Sequence, residues 1–252
     1  MNSRSRLTHS HRCTIRATQA GVTMVEFAIV SPFALLIVMG IIQIGMMFSA
    51  KEVLNEGAFL AARAGAVKNA LVGTVPNPEA DSMQGVLQKA LIPFYQNTTV
   101  GNDLLRLTAA ATAAETDAEQ GYIKLEVMNP TAAAFADFGI SGKAFGGRTY
   151  IPNDNLEYRS HTVTGKTSGL SIQDANALKI KVTYGYQLKV PLMAIVVRAI
   201  MCGLSSGLDA FGLTSVTYAG TSDCATYYSQ GRIPIVTYAT VQMQTPALNP
   251  DD

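Results

Sequence analysis

The feature that most constrains this chain is an apolar run that carries no charge. From Phe27 to Ala50 there is no Asp, Glu, Lys or Arg, and the only mildly polar members are Ser31, Gln43 and Ser49. A bilayer core needs about 20 apolar residues in a helix, so the run is long enough to cross one. It is too long for the apolar part of a secretory signal peptide, which extends over roughly 7–15 residues. A single carboxylate, Glu26, stands at its threshold. A charge at the edge of hydrocarbon is costly unless it has a partner or a task, so a plain signal anchor accounts for the length of the run but not for Glu26.

Arg4, Arg6, Arg12 and Arg16 precede Glu26, with His9 and His11 among them. Arginines on one side of a span favour the cytoplasm, so the head is expected inside and everything after Lys51 outside. That orientation puts Cys13 in a reducing compartment and Cys202 and Cys224 in an oxidising one. A Cys202–Cys224 disulfide follows, worth about 3 kcal/mol by loop closure if unstrained; two free buried thiols are the alternative. The formal net charge is only +1, which implies no general attraction to nucleic acid, and no such partner is expected.

Gly21 lies five residues before Glu26. A processing enzyme needs the bond it cuts in an extended form, which a residue without a side chain adopts readily. A cut after Gly21 would make Val22 the new N-terminus and Glu26 the fifth residue. The new amine is a positive charge near the membrane surface, and a carboxylate on a neighbouring subunit can neutralise it. In low dielectric such a pair fixes register between helices even where its net stabilisation is small.

The stretch GVTMVEFAIVSPFALLIVMGIIQIGMMFSAKEVLNEGAFLAARAGAV resembles the TadE-like group of small pilins or pseudopilins of the tight-adherence (Flp) pilus machinery. The resemblance lies in a glycine, four residues, a glutamate and an aromatic residue, then an apolar span ending in a small-residue amphipathic helix, over residues 21 to about 67. It implies cleavage between Gly21 and Val22 by an inner-membrane prepilin peptidase, and an assembly role for Glu26 and Phe27. The implied partners are that peptidase, other pilin-like subunits of the Flp apparatus and inner-membrane lipid. Farther on the likeness loosens, although IPNDNLEYR, DANALKIKVTYGYQLKVPL and RIPIVTYATVQMQTPA are the kinds of segment seen in longer TadE-like proteins. Phe27 stands where major Flp pilins usually carry tyrosine, and the outer region is far larger than theirs. Both departures argue against the main shaft subunit and for a minor, initiating or assembly-supporting one.

Residues 51–68 contain no proline and continue the helix, with Glu52, Glu56 and Arg63 along one face and Leu54, Ala58, Ala61 and Gly65 on another. Such a small-residue stripe permits close contact either with a sister subunit or with the chain's own outer domain. Pro32 frees the backbone acceptor four residues earlier, so a kink is expected near Ala28 to Pro32. GTVPNPEA, residues 73–80, reads as a break. Helices are expected over Glu79–Phe94, Asn102–Glu119 and Thr131–Phe138. Alternation predicts strands in GYIKLEVMNP, in ALKIKVTYGYQLKV and over Ile233–Gln244. Residues 139–176 read as loops with a brief extended piece near Leu156 to Thr164, and the tail PALNPDD as disordered. LMAIVVRAIMCGL is too short to span a membrane and is interrupted by Arg198; it reads as a core-packed amphipathic helix or, second, as a membrane-surface one.

Three long antiparallel strands beside several helices make an α+β domain. The expected organisation is a basic leader over residues 1–21, removed on maturation; a helix over 22–70, half transmembrane and pilin-like; and a periplasmic α+β domain over 71–252. The chain would be single-pass in the bacterial inner membrane with its N-terminus cytoplasmic, presenting its C-terminal domain in the periplasm or within a pilus or pseudopilus.

Little points to an enzyme. GLSSG, Gly203 to Gly207, fits the pattern around a serine-hydrolase nucleophile, but that chemistry requires a strand before Ser205 and a helix after it. His161, the histidine outside the head, lies in a polar loop. Cys202 and Cys224 lack two further ligands at zinc spacing, so no metal and no cofactor are expected. Tyrosines 184, 186, 218, 227, 228 and 238 could form an adhesive or carbohydrate-contacting surface, though strands commonly use tyrosine for packing. The competing reading is an uncleaved single-span anchor presenting a periplasmic binding or sensing domain.

Overall fold

The computed structural model describes residues 24–73, 81–96, 101–190, 192–202 and 221–250. The chain divides into two compact units, Met1–Val38 and Met39–Asp252. Within the first, the described residues form the opening turns of helix α1, Met24–Val67, which stays helical through Pro32. The continuation of α1 beyond Met39 is the backbone of the second unit. It ends where Asn69 and Ala70 turn to φ values of 60° and 61°, the left-handed geometry that asparagine tolerates at a helix C-terminus.

A three-stranded antiparallel sheet is built from β1 (Ile123–Asn129), β4 (Ala177–Gln187) and β5 (Arg232–Gln242), in the order β1-β4-β5. The side-chain period of two sorts its residues onto two faces. Ile123, Leu178, Ile180, Val182, Tyr184, Ile235 and Ala239 are buried, while Lys124, Glu126, Lys179 and Tyr238 are exposed on the other face. There Lys181 donates to Glu126 at 3.0 Å, directly across the β1–β4 register. The buried face belongs to the same core as Ala50, Leu54, Ala58, Ala61, Ala62 and Ala66 of α1. Hydrogen bonds run along this seam: Lys51 Nζ donates to the Val236 carbonyl, Thr237 bonds Asn55, and Gln244 N donates to the Ala66 carbonyl at 2.9 Å.

The small-residue stripe is therefore occupied by the chain's own domain. A Cβ placed on Gly57 would lie 3.0 Å from Ala90 Cβ, and one on Gly65 would lie 2.3 Å from Met83 Sδ and 2.8 Å from Leu178 Cδ2. Ala90 and Met83 belong to α2 (Met83–Tyr95), whose N-cap Ser82 accepts a hydrogen bond from Gly85 N. Helix α2 begins later than the expected Glu79, because Ser82 caps it. Helix α3 (Asp103–Glu119) starts at its N-cap Asn102, and α4 (Ala132–Phe138) at Thr131, as expected.

Residues 139–176 are more ordered than their composition suggests. Strands β2 (Ile140–Ser141) and β3 (Thr149–Ile151) pair there, and the short helix α5 (Ile172–Ala175) follows. The expected extended piece near Leu156 to Thr164 is instead a single 3₁₀ turn, Leu156–Tyr158, with an isolated bridge at Thr164. The tail is also ordered as far as the described residues reach. Strand β6 (Ala247–Leu248) adds to β3 in a second sheet of order β2-β3-β6. Both its residues are buried, Leu248 N donates to the Asn69 carbonyl at 3.1 Å, and Arg148 donates to the Asn249 carbonyl at 2.6 Å. Those backbone groups have partners, which overrides the turn-like composition. Helix α6 (Met193–Cys202) and the short α7 (Thr221–Thr226) complete the domain, joined by the Cys202–Cys224 disulfide with Cα atoms 5.7 Å apart.

Candidate functional site

Glu26 sits in the first turn of α1, where the helix dipole favours a negative charge. Phe27, Ile29, Val30, Phe33, Leu36 and Ile37 follow it and are exposed. In the most apolar window of this helix only 6% of the residues are buried. A soluble core helix would hide such a stretch, whereas one exposed all round needs an apolar solvent. This is one helix long and apolar enough to cross a membrane, close to the N-terminus. Gly21, Val22, Cys13 and the basic head lie outside the described residues.

Past Met39 the character of α1 changes. Gln43, an amide within the apolar run, is 3% exposed. Its Oε1 accepts a hydrogen bond from Val190 N at 3.0 Å. The Gln43 Nε2 is buried without a partner among the described residues. In the sequence Gln43 is one mildly polar residue in an apolar run, and nothing in its local pattern assigns it a role. The signal was its isolation, since a lone amide in an apolar helix is expensive unless satisfied by a specific partner.

Beside this contact the domain holds a recess of about 360 Å³, lined by Phe94, Tyr95, Asp117, Tyr184, Tyr186, Lys189 and Arg232 among others. Asp117 receives both prongs of the Arg232 guanidinium, at 2.7 and 2.9 Å, and the Tyr95 hydroxyl at 2.6 Å. Arg232 also donates to the Gly185 carbonyl at 3.0 Å and lies 4.0 Å over the Tyr122 ring. A planar guanidinium suits such a bidentate, stacked position. Burial pushes the Tyr95 hydroxyl far above its ordinary value and that of Tyr184 up to about 12, so both hold their protons beyond the usual tyrosine range. Asp117, Arg232 and Tyr95 thus satisfy one another.

Of the six tyrosines, the five that lie among the described residues do not form one surface. Tyr184 and Tyr186 line the recess, Tyr227 and Tyr228 are buried, and Tyr238 is exposed beside Lys179 on the sheet's polar face. Tyr218 and Ser205 lie outside the described residues, while His161 is exposed in its loop. Glu52, Glu56 and Arg63 are exposed on α1, as their spacing suggests. Cys202 and Cys224 are brought together as expected.

No curated protein and no solved structure matches the chain. Residues 21–63, running from the glycine ahead of Glu26 into the small-residue stripe, match the family model described as TadE-like protein.

Proposed function

We propose that this chain is the precursor of a minor pilin or pseudopilin that takes part in assembly of a Flp-type tight-adherence pilus. Prepilin peptidase removes residues 1–21, and the mature protein begins at Val22. Its helix stores the subunit in the inner membrane, and the α+β domain faces the periplasm. Glu26 of one subunit neutralises the Val22 amine of a neighbour, which sets the register between helices as lipid contacts are exchanged for protein contacts. The observation that carries this reading is Glu26 in the opening turn of an exposed apolar helix, inside the segment that matches the TadE-like family model. It is supported by Phe48, Phe59 and Leu60, which stay exposed along α1 while the opposite side packs on the domain and offer apolar contacts to other subunits.

Intact mass of the membrane-resident protein, from cells with and without the peptidase, tests the reading. The expected result is loss of residues 1–21 only where the peptidase is present. Because Cys13 departs with the leader, the mature form should expose no thiol until its disulfide is reduced, whereas the precursor exposes one. An intact Met1 in peptidase-competent cells would favour the uncleaved anchor.

A further inference from the structure

We propose that helix α6 and the turn before it form a membrane-contact surface, with Leu192 and Ile195 in the outer boundary of the bilayer that holds α1. This rests on the reading of α1 as a membrane span. A hydrocarbon core takes about 20 helical residues, and every window of that length within Phe27–Ala50 includes both Gly40 and Gln43. The domain meets α1 at those two positions. A Cβ on Gly40 would stand 4.0 Å from Met193 Sδ, in ordinary contact, and Gln43 takes the hydrogen bond of Val190 N. The segment from Val190 into α6 is therefore bound to a part of α1 that lies at hydrocarbon depth.

The outer side of that segment suits the same environment. Met193 is buried toward the domain, while Leu192 and Ile195 are 60% and 69% exposed. Lys189 and Arg198 are exposed on either side of them. Apolar side chains flanked by long cations are the pattern of a surface helix, in which the cations extend to lipid phosphates as the apolar residues enter the acyl boundary. The helix is also fastened in place: its C-terminal end by the Cys202–Cys224 disulfide, and Ala194 by the turn at Gly231, where an added Cβ would come within 3.2 Å. Leu192 has a φ of 67°, a conformation a leucine rarely adopts, with its side chain exposed. The attachment of this segment to Gly40 and Gln43, both within the span, identifies its occupant as lipid.

The chain contains no tryptophan, so each Trp substitution gives a single reporter. Ile195→Trp, Leu192→Trp, Ile37→Trp in the span and Tyr158→Trp in an exposed loop would be compared in the full chain, reconstituted in two sets of phosphatidylethanolamine–phosphatidylglycerol vesicles, one with acyl chains brominated near the headgroup and one near the chain ends, the second reporting on Ile37→Trp. The expected result is quenching at positions 192 and 195 about fivefold greater than at 158, with blue-shifted emission. If Ile37→Trp is quenched but neither α6 reporter exceeds Tyr158→Trp, the membrane-contact surface is wrong while the span stands. Absence of quenching at Ile37→Trp overturns the span and this inference with it. Blue-shifted, unquenched emission at position 195 that reverts on dilution assigns the face to a second copy of the chain and also overturns the inference.

Discussion

Gly65 offers a direct measure of whether the small-residue stripe of α1 belongs to its own domain. In an open helix, Gly→Ala stabilises by about 1 kcal/mol through backbone entropy alone. Here the new methyl would come within 2.3 Å of Met83 Sδ and 2.8 Å of both Met83 Cγ and Leu178 Cδ2. Neither neighbour can swing into water, because Met83 and Leu178 are fully buried. Overpacking of this kind costs about 1–3 kcal/mol, so Gly65→Ala is expected to destabilise by roughly 1 kcal/mol once the helix gain is deducted. At about 2–4 °C per kcal/mol for a domain of this size, the melting temperature falls by a few degrees. Gly57→Ala, with its nearest neighbour at 3.0 Å, should come out near neutral. Thermal melts of the detergent-solubilised chain, followed by circular dichroism, give the comparison. Combining Gly65→Ala with Met83→Ala should cost less than the sum of the two single changes, since the sulfur clash disappears. If Gly65→Ala is as stable as the parent or more so, the stripe is not packed by the domain.

Other consequences concern the interior and its charge. Asp117→Ala leaves the part-buried Arg232 guanidinium without its carboxylate and should cost about 1.5–3 kcal/mol in chemical denaturation, with much of the loss recovered by adding Arg232→Met. Tyr184 is raised from 10.0 to about 12, mainly by burial, and Tyr95 is raised by the same cause. A raised folded value means that the stabilising contribution is complete below the unfolded value of about 10 and disappears as pH climbs through the folded one. Denaturant midpoints should therefore hold up to about pH 10 and then fall toward pH 12, and Tyr184→Phe should reduce that fall. Reducing the Cys202–Cys224 bond should lower stability by no more than about 3 kcal/mol, read as a shift in melting temperature with and without reductant.

The parts of the fold that could be read in advance are those where one face is buried and the other wet. Leu178, Ile180, Val182 and Tyr184 alternate with Lys179, Lys181 and Thr183, and the sheet obeys that alternation. The same holds for Ser/Thr/Asn residues at helix starts, where Thr131 and Asn102 act as caps. Strands β2, β3 and β6 are two or three residues long, too short for any period to register. Their order depends on distant partners such as Asn69 and Arg148, which no local pattern reveals. The stripe at Ala58, Ala61 and Gly65 was legible as a close-contact surface, but its partner was not, since a sister helix and the chain's own α2 and β4 ask for the same small residues. At the candidate site Glu26 and the Cys202–Cys224 pair stood out by charge and compartment. The recess around Asp117 draws on residues from α2, α3, β4 and β5 and had no sequence signature.

Glu26 is the residue on which assembly turns in this account, and replacing it tests the central claim most directly. Glu26→Ala should leave membrane residence and removal of residues 1–21 unchanged, while the mature protein no longer co-purifies with the other pilin-like subunits of the apparatus and surface attachment is lost. Undiminished recruitment and attachment in the Glu26→Ala strain would contradict the proposed pairing with the Val22 amine.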